Sequence, residues 1–80
     1  MTTAREHDID AILKNHTIFI GRKIKELRIE KGYNQLDLAF YSRTSQKTIY
    51  NIEEGCDNIT LRTIVSIADA LEVNLSEFFL

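Results

Sequence analysis

The sequence predicts an all-α fold, and three observations carry that prediction. Proline is absent and there are only three glycines, so a hairpin-rich sheet would lack its turn residues. Apolar residues recur at helical spacing in one segment after another. Nearly every segment also opens on a residue able to cap a helix. At 80 residues, 44% apolar and 28% charged, the chain makes one small soluble domain, near the lower size at which a core folds unaided.

The segments follow in order. Thr3 and Glu6 have capping-box spacing, and Ile9, Ile12 and Leu13 share a helical face. His16 and Thr17 break the pattern, so residues 4–14 form either a short helix or a frayed arm. From Ile18 onward Ile20, Ile24 and Leu27 fall at i, i+4, i+7. Gly32 ends that helix in a left-handed conformation, and Tyr33 packs back over its last turn. Asn34, with Asp37 three residues on, opens a short second helix from Gln35 to Ser42 that contains Leu36, Leu38 and Ala39. Ser45 caps a third segment with Ile49 and Ile52 inward, ending at Gly55. Thr60 caps a fourth, whose Leu61, Ile64, Ile67, Ala68 and Leu71 form an apolar stripe. Asn74 and Glu77 cap a last helix carrying Leu75, Phe78, Phe79 and Leu80. Residues 1–17 thus read as an N-terminal arm or short helix, and residues 18–80 as the domain.

Composition excludes several functions. The single cysteine, Cys56, rules out an internal disulfide and a thiolate zinc site, and reads as an inert thiol. Residues 1–16 lack the pattern of a signal peptide, and no apolar run approaches a membrane span, so a cytoplasmic chain with no membrane partner is expected. His7 and His16, near Glu6, Asp8 and Asp10, stand too far apart for a metal pair, so no metal is expected. No grouping suggests an activated nucleophile, so the chain is expected to be no enzyme and to need no cofactor. Net charge is −2, but it is uneven. Eight basic and six acidic side chains between Thr17 and Arg62 leave that segment at +2, and the two ends together at −4. Charge alone does not point to nucleic acid.

Architecture does. Residues 35–54 hold two short helices around a tight turn, the helix-turn-helix unit. Ala39 is small because the second helix crosses the first there. With Ile49 and Ile52 inward, Gln46, Lys47, Tyr50 and Asn51 point outward. In such a unit the second helix enters the major groove, where amides pair with adenine, Lys donates to guanine, and Tyr packs on a thymine methyl or reaches a phosphate.

The stretch from Ile20 through Arg28 to Gln35 closely resembles the opening of Cro-type (phage-repressor, XRE-family) helix-turn-helix domains. So do Leu38-Ala39, Ser45-Gln46-Lys47-Thr48-Ile49, Ile52-Glu53-Glu54-Gly55 and Ile67-Ala68-Asp69-Ala70-Leu71-Glu72-Val73. The resemblance covers residues 18–80 and implies a five-helix lambda-repressor-like fold with a short N-terminal arm or extra helix. It implies that Arg28 pairs with Glu53 and clamps the recognition helix, residues 45–54, to the core. Gln35 and Ser45 match phosphate-contacting positions, Gln46, Lys47 and Asn51 match base readers with Tyr50 beside them, and Asn58 and Thr60 match a loop that grips the backbone. The sequence departs from the pattern at the turn, with Arg43 in place of glycine and Ser42 in place of a hydrophobic residue. Either Arg43 takes a positive φ at a cost of about 1 kcal/mol, or the turn differs and re-aims the third helix. An arginine there can itself reach a phosphate.

The dense C-terminal cluster of Leu75, Phe78, Phe79 and Leu80 exceeds what so small a chain can bury, which points to a homodimer through the last helix and the end of the fourth. The expected function is transcriptional regulation by a homodimer on a pseudo-palindromic operator. The resemblance extends to phage repressors and to controller proteins of restriction-modification operons, with RNA polymerase as a candidate further partner. Rival readings are an antitoxin-like module and an adaptor, each with a protein as main partner.

Overall fold

The computed structural model describes residues 2–56 and 59–79, with side chains from Asp8 onward. The order is α1 (Thr2–Glu30), α2 (Gln35–Ser42), α3 (Gln46–Glu53), α4 (Leu61–Leu71) and a C-terminal 3₁₀ helix (Leu75–Phe79). No strand occurs among the described residues. Among the described residues the fold is all-α as expected, with four α-helices and a 3₁₀ helix where a fifth was expected. The last element is a five-residue 3₁₀ helix, at whose start the Glu77 amide donates to the Asn74 carbonyl at 3.0 Å. No described helix is long and apolar enough to cross a membrane.

At the N-terminus, α1 runs without interruption for 29 residues, through the expected break at His16 and Thr17. Neither proline nor glycine precedes Gly21 in it. The Thr17 hydroxyl donates to the Leu13 carbonyl at 2.9 Å, so this residue is satisfied inside the helix. The change at Ile20 lies in what the helix touches, not in its backbone. Ile20 and Ile24 are buried, whereas Ile9, Ile12 and Leu13 are exposed.

All four helices end the same way. A residue just past each turns left-handed: Gly32 at φ 81°, Arg43 at 59°, Gly55 at 71° and Glu72 at 59°. In each case the next amide closes back on a carbonyl five residues earlier: Tyr33 on Arg28, Thr44 on Ala39, Cys56 on Asn51 and Val73 on Ala68. This is the Schellman arrangement, which satisfies carbonyls that a helix end leaves free. At the other ends Asn34 and Asp37 form a reciprocal capping box, while Ser45 and Thr60 accept from the amides of Thr48 and Thr63.

Packing places α1 against α3 and the 3₁₀ helix, and α2 against α3 and α4. Ile24, Leu38, Ile49, Ile67 and Phe78 form a wholly buried centre. Phe78 therefore lies in the chain's own core, which removes it from the expected dimer surface. Leu61, placed by its spacing in the α4 stripe, is instead exposed, since it sits in the first turn of α4 beyond the neighbours that cover Ile64. Gly21 marks the crossing of α1 over α3. A β-carbon there would stand 2.1 Å from the Ile52 carbonyl oxygen, so only glycine lets the two backbones approach so closely.

Candidate nucleic-acid interface

Local sequence chemistry fixes α3. Ser45 starts it, Ile49 and Ile52 are buried at 0% and 1% exposure, and Gly55 ends it. Those two isoleucines leave Gln46, Lys47 and Tyr50 exposed and Asn51 half-buried on the outer side. An amide, an ammonium, a phenol and a second amide thus share one helix surface, free of intramolecular partners among the described hydrogen bonds.

The turn before α3 shows how the sequence's two departures are met. Arg43 takes φ 59°, ψ 42°, the left-handed conformation that glycine adopts without strain, and its side chain is exposed. Ser42 is buried at 3% exposure, yet its hydroxyl donates to the Leu38 carbonyl at 2.6 Å and lies 3.0 Å from the Thr44 hydroxyl. A polar group fits this apolar position because its hydrogen bonding is complete.

At the far end of α3, Arg28 and Glu53 meet in a buried fork. Arg28 Nε donates to Glu53 Oε2 at 2.6 Å and Nη2 to Oε1 at 3.0 Å. Arg28 Nη1 donates to the Tyr33 carbonyl at 2.8 Å, and Gln35 Nε2 to Glu53 Oε1 at 3.2 Å. The network joins the end of α1, the start of α2 and the end of α3. No buried side-chain polar atom lacks a partner among the described residues, which is the condition for a buried ion pair to hold without an uncompensated charge.

The remaining predicted residues are less gathered. Gln35, expected at a phosphate, spends its amide nitrogen on Glu53. Ser45 and Thr60 are exposed, with their hydroxyl oxygens engaged as caps. Asn58 and Leu80 lie outside the described residues. Of the other predicted dimer residues, Leu75 is half-buried against the core and Phe79 is exposed. Sequence reasoning missed Gly21, although an isolated glycine inside a helical pattern was the available signal. It also missed the Lys31–Glu72 ion pair, which ties the end of α1 to the cap of α4. That hydrogen bond raises the Lys31 pKa above its ordinary value and lowers that of Glu72. On the outside of α2, Tyr33 stacks on Tyr41 with centroids 5.0 Å apart, and Phe40 meets Tyr41 edge-on at 5.3 Å.

Two short helices, a left-handed turn and a clamped, polar-faced second helix define a helix-turn-helix domain. The chain belongs to the helix-turn-helix family, whose model matches residues 24–78. It resembles the crystal structure of the restriction-modification controller protein C.AhdI from Aeromonas hydrophila at 33% identity and a TM-score of 0.77, over 79% of this chain and 96% of that one. An uncharacterised helix-turn-helix-type transcriptional regulator of Rickettsia conorii is 32% identical over 68 residues, 85% of this chain and 54% of that protein. A competence pilus inhibition repressor of Acinetobacter baylyi is 34% identical over 61 residues, 76% of this chain and 56% of its own length. The chain thus spans about half the length of the curated relatives it matches.

Proposed function

We propose that the chain is a sequence-specific double-stranded DNA-binding transcriptional regulator that acts as a homodimer on a pseudo-palindromic operator. The outer face of α3 carries this reading, with four groups suited to base edges on a helix held at one end by a cap and at the other by the buried Arg28–Glu53 fork. A rigid, correctly aimed helix is what major-groove readout requires. In this reading Gln46, Lys47, Tyr50 and Asn51 meet bases. Arg43 and the exposed N-terminal ends of α3 and α4 at Ser45 and Thr60 meet phosphates, while Gln35, expected at a phosphate, serves the Glu53 network instead. Backbone amides at helix N-termini favour such anions. The similarity to a controller protein and to a repressor supports regulation as the outcome of binding. Exposed Phe79, with Leu75 partly behind it, supports a second copy as partner.

Selection from a random duplex library at moderate salt tests the proposal. The expected result is enrichment of a palindrome with half-sites about 34–36 Å apart, one turn of the duplex. Failure to enrich any sequence, together with no binding to any duplex at low salt, would overturn it and turn attention to a protein partner.

A further inference from the structure

Among the described side chains, none from Asp8 to His16 on α1 is buried. Ile9, Leu13, His16 and Ile20 follow one another at helical spacing and line a single face, but only Ile20 is buried. Beside this stripe a groove of about 490 Å³ opens between α1, the start of α4 and the 3₁₀ helix, with Leu13, His16, Leu61 and Phe79 among its walls. Ile9, Ile12, Leu13, Leu61 and Phe79 are exposed at 57%, 55%, 53%, 68% and 54%. Leu13, Leu61 and Phe79 meet around one groove, and a cluster of bare apolar side chains of this kind marks an interaction surface. A solitary helical segment of this length is also marginal in water without packing.

We infer that the segment Asp8–Thr17 of α1 packs antiparallel across the same segment of a second copy, centred near Leu13, with each chain's Ile9 and Ile12 reaching toward the other's groove. Charge selects this partner and this direction. Asp8 and Asp10 stand at one end of the segment, and Lys14 at the other. An antiparallel crossing sets the acidic end of each helix against the basic end of its mate, whereas a parallel crossing sets like against like. The two-fold contact is isologous, so one self-complementary surface closes the dimer and stops there. The pairing rests on the dimeric reading above and deepens it. It adds to the Phe79 surface a helical strap that lies outside the 24–78 region matched to the family.

The experiment is sedimentation equilibrium of the full chain without DNA, with circular dichroism to establish folding. The wild type is expected to dimerise, and Ile12→Glu to raise the dissociation constant at least about tenfold, as loss of a buried isoleucine contact should. Asp10→Lys alone should weaken the dimer, and adding Lys14→Asp should restore it. In a Cys56→Ser background, Leu13→Cys should form an interchain cross-link that Phe40→Cys, on the far surface of α2, does not. A monomeric wild type, a dimer that Ile12→Glu shifts by less than about twofold, or a charge-reversed pair that fails to recover would overturn the inference. The duplex selection separates the two readings. A selected operator bound by a chain whose dimer ignores these variants leaves the DNA reading standing without the strap. A dimer that obeys them but binds no duplex leaves the strap without the operator.

Discussion

Glu53 draws α1, α2 and α3 together through one carboxylate. Its carboxylate, 1% exposed, accepts from both arms of the Arg28 fork and from Gln35. Arg28→Ala removes two of these three donors and strands a buried charge, so it should cost about 3–5 kcal/mol of stability by denaturant unfolding. Lys47→Ala should leave unfolding unchanged, because Lys47 is exposed and holds nothing in place. It should lower affinity for the selected operator by about 1–3 kcal/mol and relax preference at one base pair, read in a binding titration. The contrast separates a residue that aims the reading helix from one that reads. At this scale the sequence was only partly legible. By themselves Arg28 and Glu53 are two charges among many, and only the family resemblance paired them. Gln35 as a third member, facing inward, was legible from neither.

Helix boundaries were easier to read because capping is local chemistry. Asn34, Ser45 and Thr60 each precede a helix, as the side-chain acceptors foretold. The length of α1 and the nature of the last element were not legible, for a physical reason. Hydrophobic periodicity marked Ile9, Ile12 and Leu13 but broke at the polar His16 and Thr17, and it does not report that a backbone continues through such a break. It also cannot tell a short 3₁₀ helix from the start of an α-helix. The left-handed caps divide into two glycines and two residues that carry a β-carbon. Arg43→Gly should relieve that strain and raise stability by about 1 kcal/mol. If Arg43 grips a phosphate, the same variant should bind the operator more weakly, so one substitution moves melting temperature and affinity in opposite directions. Gly21→Ala has no such compensation. Its methyl meets a backbone carbonyl, and forcing α1 and α3 apart should cost about 1–3 kcal/mol by thermal unfolding.

The whole molecule carries net charge −2, so attraction to DNA must come from where its cations lie. On the proposed reading, the exposed cations of residues 17–62, Arg43 and Lys47 among them, supply the contacts. Operator affinity should therefore fall with added salt at a log–log slope of about −0.9 for each phosphate neutralised. Arg43→Gly should make that slope shallower by about one unit if the side chain meets a phosphate, a readout in titrations at several salt concentrations. Overall acidity hid this from the composition, and the charge partition along the chain only hinted at it.

The unbroken course of α1 gives the domain a mechanical property. The segment Asp8–Thr17 and Arg28 ride on one rod, with no hinge of proline or loop between them. From Asp8 to Arg28 that rod measures about 30 Å at 1.5 Å per residue. Ile20, Gly21 and Ile24 seat the middle of the rod in the core and against α3, so its first turns and the Arg28 fork on the last turn of α3 share one fixed alignment.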